Sequence, residues 1–313
     1  MNQKWNQTGR HISLLFCRRP PRGPLPQLIL LFSLLIPLPA CLLSSCTHNI
    51  GPDVADLVEV PVDSCKICLK FNVVDNLSDT LHPVHRLDLL LYSADDMKGL
   101  RHKRVYEHLP DSIIIYGPKE DLIAVAVANS AEPLFSNAPP RYDAAEELSC
   151  DFSSDSPNSP LMSGTLKLEA GEGGTVPISP LMSRVMLGMI TNTMKNYVRL
   201  EDPRVYLENV NSGAEILRTG GFRPSELIAA TDRVQLPYDI GVFSQSPGTE
   251  LFCYPNDSPA ATIGTPATVL VLECEIKGMT KQFRIPLPVL RRNSTTRVDI
   301  TVNGPTEFES NIY

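Results

Sequence analysis

The chain has 313 residues, with 28 Lys and Arg against 35 Asp and Glu for a net charge of −7, and 28 prolines. That acidic balance argues against a nucleic-acid binder, whose affinity rests on basic patches meeting phosphates. The length suffices for one large core or two ordinary ones, and the lack of helical periodicity favours two.

Residues 1–27 hold Lys4, Arg10, Arg18, Arg19 and Arg22 with no acid, and the apolar run Leu28–Ile36 follows. Basic then apolar is the order of an export signal. As a spanning helix the run falls short, because Pro37 and Pro39 break it before the ~20 apolar residues such a helix needs. It closes on Leu43-Ser44-Ser45-Cys46, which has the form of a bacterial lipobox: an aliphatic residue, two small residues, then the cysteine whose thiol is acylated. Leu38-Pro39-Ala40-Cys41 is a poorer match, with proline next but one before the cysteine. Cleavage before Cys46 leaves an N-terminus carrying several acyl chains, which bind membrane far more firmly than one. Losing five Lys and Arg and no acid with residues 1–45, the remainder reaches a net charge of −12.

Residues 46–63 read as a tether. From Cys65 the chain alternates, with Cys65, Ile67, Leu69, Phe71 and Val73 on one face and Lys66, Cys68, Lys70 and Asn72 on the other. This is a strand with one face in a core. Cys65 and Cys68 then face opposite sides of a sheet, so their C-x-x-C spacing makes neither a metal site nor a ready disulfide. Val84–Tyr92, Lys103–Leu109, Ile113–Tyr116, Leu122–Ala128 and Leu161–Leu168 read as further strands of a sandwich or barrel. Leu122–Ala128, apolar on both faces, should be central. Ser130–Pro160 is a long loop with a short helix near Tyr142–Ser149.

The pentapeptide Ser-Pro-Leu-Met-Ser occurs at 159–163 and again at 179–183, an echo too short to establish a repeat. Ala170–Gly174 between them reads as a linker, placing the first domain at 64–174 and the second at 175–313. Expected strands of the second are Leu181–Thr191, Tyr197–Asn209 with a break at Asp202-Pro203, Glu215–Arg218, Val234–Leu236, Glu250–Tyr254, Thr268–Lys277, Lys281–Leu287 and Thr295–Val302. Leu270, Leu272, Cys274 and Ile276 form one face, Gly278 helps turn the chain, and Phe283, Ile285 and Leu287 answer from the next strand.

No catalytic constellation emerges, and the expectation is a protein that is not an enzyme. His82, His85, His102 and His108 all precede residue 175, and strand-end histidines at this spacing, without acid or Cys ligands to match, read as exposed rather than metal-binding. The second domain has no histidine, which removes a Ser-His or Cys-His site within it. Neither a nucleophile elbow nor a dinucleotide fingerprint is present, and no cofactor is implied. Cys253 and Cys274 are the candidate disulfide pair for an oxidising envelope. Cys65, Cys68 and Cys150 leave an odd thiol, so no disulfide framework follows.

The lipobox, the strand with an early cysteine, and the segments HRLDLLLYSAD, LIAVAVAN, LMSG, MSRVMLGMI, YVRLEDPRVYLENVN and FRIPLPVLRRNSTTRVDITVNG occur in an order that resembles the fimbrium anchoring subunits of Bacteroidales, the FimB-like pilus lipoproteins. The resemblance implies an all-β fold of two tandem transthyretin-like or Ig-like β-sandwiches behind a lipoprotein signal peptide. It also implies an outer-membrane lipid anchor at Cys46 and assembly with fimbrial shaft subunits by strand donation, with Thr295–Tyr313 as the candidate strand. Shaft subunits of such pili lose an N-terminal segment to an arginine-specific protease. Here no Lys or Arg lies between Cys46 and Cys65 and the first arginine after the lipobox is Arg86, which favours an anchor. The alternative is a surface glycan-binding lipoprotein of a nutrient-uptake system. Against it, such sites stack sugars on Trp and Tyr, and the only tryptophan, Trp5, leaves with the signal, though nine Tyr remain.

Replacing Cys46 by Ala is expected to abolish acylation and move the protein from the membrane to the soluble fraction. Unchanged partitioning in a fractionation experiment would count against the lipobox.

Overall fold

The computed structural model describes residues 64–130, 138–223, 225–258 and 266–313. The expected signal peptide, lipobox and tether lie outside the described residues.

The N-terminal half contains β1 (Ser64–Val73), β2 (Leu87–Ser93), β3 (Leu100–Tyr106), β4 (Ile113–Pro118) and β5 (Leu122–Ala128), then α1 (Tyr142–Glu146), β6 (Ser149–Asp151), β7 (Met162–Leu168) and β8 (Gly174–Pro180). Seven of these strands pair in the order β3-β2-β5-β7-β8-β1-β4. The sheet curls on itself because inward side chains at every second position need a common core. Ile67 and Leu69 of β1 meet Leu87, Leu89 and Leu91 of β2 and Ala124, Ala126 and Ala128 of β5 there. Lys66, Cys68 and Lys70 face solvent, as the alternation requires.

Every residue of β2 and β5 is buried. Their second face, bearing Leu90, Tyr92, Ile123, Val125 and Val127, is covered by Ala145 of α1, Cys150, Leu161, Ile216 and Tyr254. Leu122–Ala128 is thus the central strand its composition implies. In β2 the price of double burial is Asp88, which is 1% exposed. Arg86 Nε and Nη2 donate to its two oxygens at 3.0 Å and Ser130 Oγ donates at 3.0 Å, which compensates the desolvated charge.

Of Ala170–Gly174, expected as a linker, the first four residues lie in the turn between β7 and β8 and Gly174 opens β8. Gly173 is required there, since a Cβ would lie 2.1 Å from Cys68 O of β1. The following strand β8 pairs in parallel with Leu69–Val73 of β1, and its end pairs with β7. The N-terminal sheet therefore continues past the expected boundary at 174/175 to Pro180. Pro177 and Pro180 conceal this strand, because proline removes a ladder donor and argues against a strand inside a sheet.

The C-terminal half adds β9 (Ser183–Asn192), β10 (Glu201–Asn211), β11 (Gly213–Glu215), β12 (Leu227–Ala230), β13 (Val234–Gln235), β14 (Glu250–Cys253), β15 (Val269–Ile276), β16 (Met279–Pro286), β17 (Thr295–Val302) and β18 (Phe308–Ile312). They form two sheets, β14-β9-β17-β18 and β12-β10-β15-β16, the latter with β13 also on β10. Short β11 pairs with β6 of the N-terminal half. The expected faces meet between the sheets: Leu270, Leu272, Cys274 and Ile276 with Phe283, Ile285 and Leu287, against Val298, Ile300 and Val302 of β17. Lys277 and Gly278, at φ 52 and 72, make the two-residue hairpin turn whose twist suits the strands. The break expected at Asp202-Pro203 is a register shift between Glu201 and Arg204 in β10.

Two residues separate β8 from β9, and the junction is held by Arg292. Its Nε donates to Pro180 O (3.1 Å), Nη1 to Ile216 O (3.1 Å) and Arg218 O (3.0 Å), and Nη2 to Ser163 O (2.9 Å), Ser163 Oγ (2.9 Å) and Ser179 O (2.5 Å). All six acceptors are uncharged. Burial pushes the guanidinium down to about 10, which leaves it protonated at neutral pH. The two Ser-Pro-Leu-Met-Ser segments turn out to be antiparallel neighbours: Ser163 pairs with Ser179, Met162 with Pro180, and Leu181 N donates to Leu161 O at 2.8 Å. Their serines and carbonyls supply four of the guanidinium's acceptors. Asn293 extends the clamp, its Oδ1 accepting from Asn76 N and its Nδ2 donating to Val74 O, both at 2.9 Å.

Arg292→Ala is expected to lower stability by on the order of 3–5 kcal/mol, because it strands several desolvated carbonyls. Arg292→Lys should lose about 2 kcal/mol, since an ammonium cannot reproduce the planar fork. Denaturant unfolding of both variants measures these losses, and a lysine variant as stable as wild type would show that charge alone suffices.

Candidate functional site

Leu43, Ser44, Ser45 and Cys46 lie outside the described residues. Cys253 on β14 and Cys274 on β15 come from opposite sheets into the same core, and both thiols are free and buried. Burial pushes each up to about 12, so neither is a thiolate nucleophile at neutral pH. Cys65 donates weakly to Gly117 O and Pro118 O at 3.6 and 3.5 Å, while Cys68 is exposed on the other face. Strand geometry therefore separates the C-x-x-C pair.

Among the histidines, His82 Nδ1 sits 2.6 Å from Asp75 Oδ2, and the Asp75 carboxylate also accepts the backbone N–H groups of Leu77 and His82. That closes the loop between β1 and β2. His85 N donates to Asn129 Oδ1 at 2.9 Å. Desolvation, with Arg104 nearby, lowers His102 below its ordinary value. Among the described residues no cluster of three or more His, Cys, Asp or Glu side chains has metal-site geometry.

What the fold offers instead is sheet edges. β3 is an edge strand but carries Arg101, Lys103 and Arg104, charges that discourage pairing with another chain. β4, the opposite edge, exposes Ile114 and Tyr116 beside Cys68 and Lys66 of β1. β17, inside the expected C-terminal strand segment, is interior, flanked by β9 and β18. β18 is the edge itself, held by Phe308, which meets Phe283 edge-on at 5.6 Å, and by Ile312. Between them Glu309, Ser310 and Asn311 are exposed. This strand is polar and short, so its sequence lacks a hydrophobic alternation that would mark it.

A second group of residues gave no motif signal. Tyr197, Tyr238 and Phe243 lie on loops at one end of the C-terminal sandwich, and their rings face solvent. Aromatics within Pro- and Gly-containing stretches were the available hint.

The loop over the outer face of the N-terminal sheet is pinned by Asp155. Its carboxylate accepts from Ser156 N and Leu161 N at 2.8 Å and from Tyr254 Oη at 3.1 Å. Tyr254 also packs edge-on against Phe152 at 5.3 Å.

No family model and no curated protein matches the chain. Solved structures do. A candidate cell adhesion protein from Parabacteroides distasonis superposes with a TM-score of 0.61 at 11% identity, covering 80% of this chain and 96% of that one. A candidate cell adhesion protein from Bacteroides eggerthii gives 0.60 at 14% identity, covering 81% and 96%. The tip fimbrial protein Mfa3 from Porphyromonas gingivalis, with a C-terminal truncation, gives 0.56 at 10% identity, covering 80% and 99%. At such identities the likeness shows the fold alone, an all-β one with β-sandwich domains.

Burial raises the Asp155 carboxyl above its ordinary 3.8, and its hydrogen bonds offset only part of that. The folded state thus holds this proton more tightly than the unfolded chain. The stabilisation is fully present below the unfolded value and is lost as pH rises through the raised one. Asp155→Asn keeps an oxygen for the Ser156 and Leu161 N–H groups, turns an amide donor towards the Tyr254 hydroxyl, which can accept it, and does not titrate. Its melting temperature relative to wild type is expected to climb as pH rises from about 4 to about 7; a constant difference would show that the carboxyl titrates as in the unfolded chain.

Proposed function

We propose that the protein is an outer-membrane lipoprotein of a fimbrium, an anchoring or other minor subunit that joins neighbouring subunits by β-strand pairing. The observation that carries this reading is the likeness over 80% of the chain to a tip fimbrial protein and to a fimbrial assembly protein of Parabacteroides distasonis, the latter with a TM-score of 0.54. The lipobox supports membrane attachment, and the lack of Lys and Arg between Cys46 and Cys65 supports retention of the lipidated N-terminus.

The partners in this reading are fimbrial shaft subunits. Strand pairing uses the backbone groups along an edge for affinity and alternate side-chain pockets for specificity. β18 is the strand best suited to exchange, because only Phe308 and Ile312 seat it on the core and its far side pairs with nothing among the described residues. The reading involves no catalytic step and no cofactor.

In a deletion strain, pili are expected to be shed or to change in length, and tagged protein should copurify with shaft subunits. Pili that stay attached at normal length would overturn the anchor reading. Removing Phe308–Tyr313 should abolish copurification while leaving membrane attachment through Cys46 intact; persistence of copurification would eliminate β18 as the exchanged strand.

A further inference from the structure

A pocket of about 380 Å³ opens between the end of β9 and the loop that runs from β13 towards β14. Its size is that of a small-ligand site. Buried Ile190, Leu236 and Ile240 line it, together with Pro237, Tyr238 and Pro247. Gln245 and Ser246 supply the polar groups, and no lining side chain carries a charge.

The loop is held in place. Ile190 and Gln245 exchange both backbone hydrogen bonds, at 2.7 and 2.9 Å, and Leu200 and Ile240 do the same at 3.0 and 2.9 Å. The Asn192 side-chain amide donates to both Val198 O and Ile240 O, at 2.8 and 3.3 Å, which clamps the Tyr197 loop to the Tyr238 loop. Thr191 Oγ1 and Ser244 Oγ add a contact of 2.9 Å. On these fixed loops Tyr197 is 84% exposed, Tyr238 74% and Phe243 80%. Tyr197 has left-handed backbone at φ 57, an outlier for a bulky residue, while Asn196 before it, at φ 65, is of a type that tolerates that region. Strain of that kind persists where the surroundings impose it, and it concentrates at binding sites.

From this arrangement we infer that the end of the C-terminal sandwich binds a neutral saccharide. An uncharged lining gives no counter-charge for an anionic or cationic ligand. The backbone groups of Ile190, Gln245, Leu200 and Ile240 are spent on the two bridges, and Pro237 and Pro247 have no N–H to offer, so an extended peptide finds no continuous edge to pair with. What remains is apolar and aromatic surface with an amide and a hydroxyl, which suits a ring that is apolar on its C–H faces and hydroxylated at its rim. The preset loops reduce the ordering cost of binding. The inference goes beyond the fimbrial reading and does not depend on where in a fimbrium the chain sits.

The test is a glycan array carrying neutral, sialylated and sulfated oligosaccharides, probed with the full chain in detergent, and competed with a proline-rich peptide. Neutral glycans should bind, Tyr238→Ala should weaken that binding at least ~10-fold, and Tyr238→Phe should retain it. Tyr313→Ala, an exposed aromatic near the opposite end of β17, should leave it unchanged. Thermal melts of each variant check folding, which substitutions at exposed rings should not disturb. No binding to neutral glycans, binding that survives both Tyr238→Ala and Phe243→Ala, preference for the anionic glycans, or displacement by the peptide would each overturn the inference. None of these outcomes bears on copurification with shaft subunits, so the two readings fail separately.

Discussion

A buried guanidinium ties the two halves of this molecule to each other. Arg292 comes from the connection between β16 and β17, while its acceptors belong to β7, β8 and the stretch Ile216–Arg218. A cation without a carboxylate tolerates desolvation only where several oriented dipoles face it, and those dipoles must then stay fixed relative to one another. The end of the N-terminal sheet, the start of the C-terminal sheet and the returning chain at residues 291–293 are thereby locked in one geometry. Ser163 takes part twice, accepting from Arg292 and donating to Ile216 O. Asn293 carries the same constraint to residues 74–76 after β1.

That junction explains why the central N-terminal strands are buried on both faces. Arg292 and its neighbours hold Leu181, Met182 and Ile216 against the outer side of β2 and β5, alongside the loop pinned by Asp155 and Tyr254. A sheet face that would otherwise need solvent-facing polar residues becomes a second core. Only two residues, Leu181 and Met182, separate β8 from β9, and both are buried.

Much of the architecture was legible in local pattern. Leu122–Ala128 and Thr295–Val302 have the bounds that their residues imply, because a doubly buried run and a clean alternation each admit one arrangement. The opposite orientation of Cys65 and Cys68 followed from the same period of two. β8 was hidden by its prolines and β18 by its polar residues, since both draw their pairing from neighbours distant in sequence. The Ser-Pro-Leu-Met-Ser echo was visible, but its meaning lay in Arg292, more than a hundred residues away.

The sequence by itself determined the all-β class, through its alternating strands, and it removed histidine chemistry after residue 175. Those properties depend on residue type and spacing along a few turns or pleats. Only the tertiary structure decided which strands are edges, where the first sheet ends, that Cys253 and Cys274 reach one core from opposite sheets as free thiols, and that Tyr197, Tyr238 and Phe243 share an end of the molecule. Each of these depends on pairing and packing between residues far apart in the chain, and short-range periodicity carries no record of that.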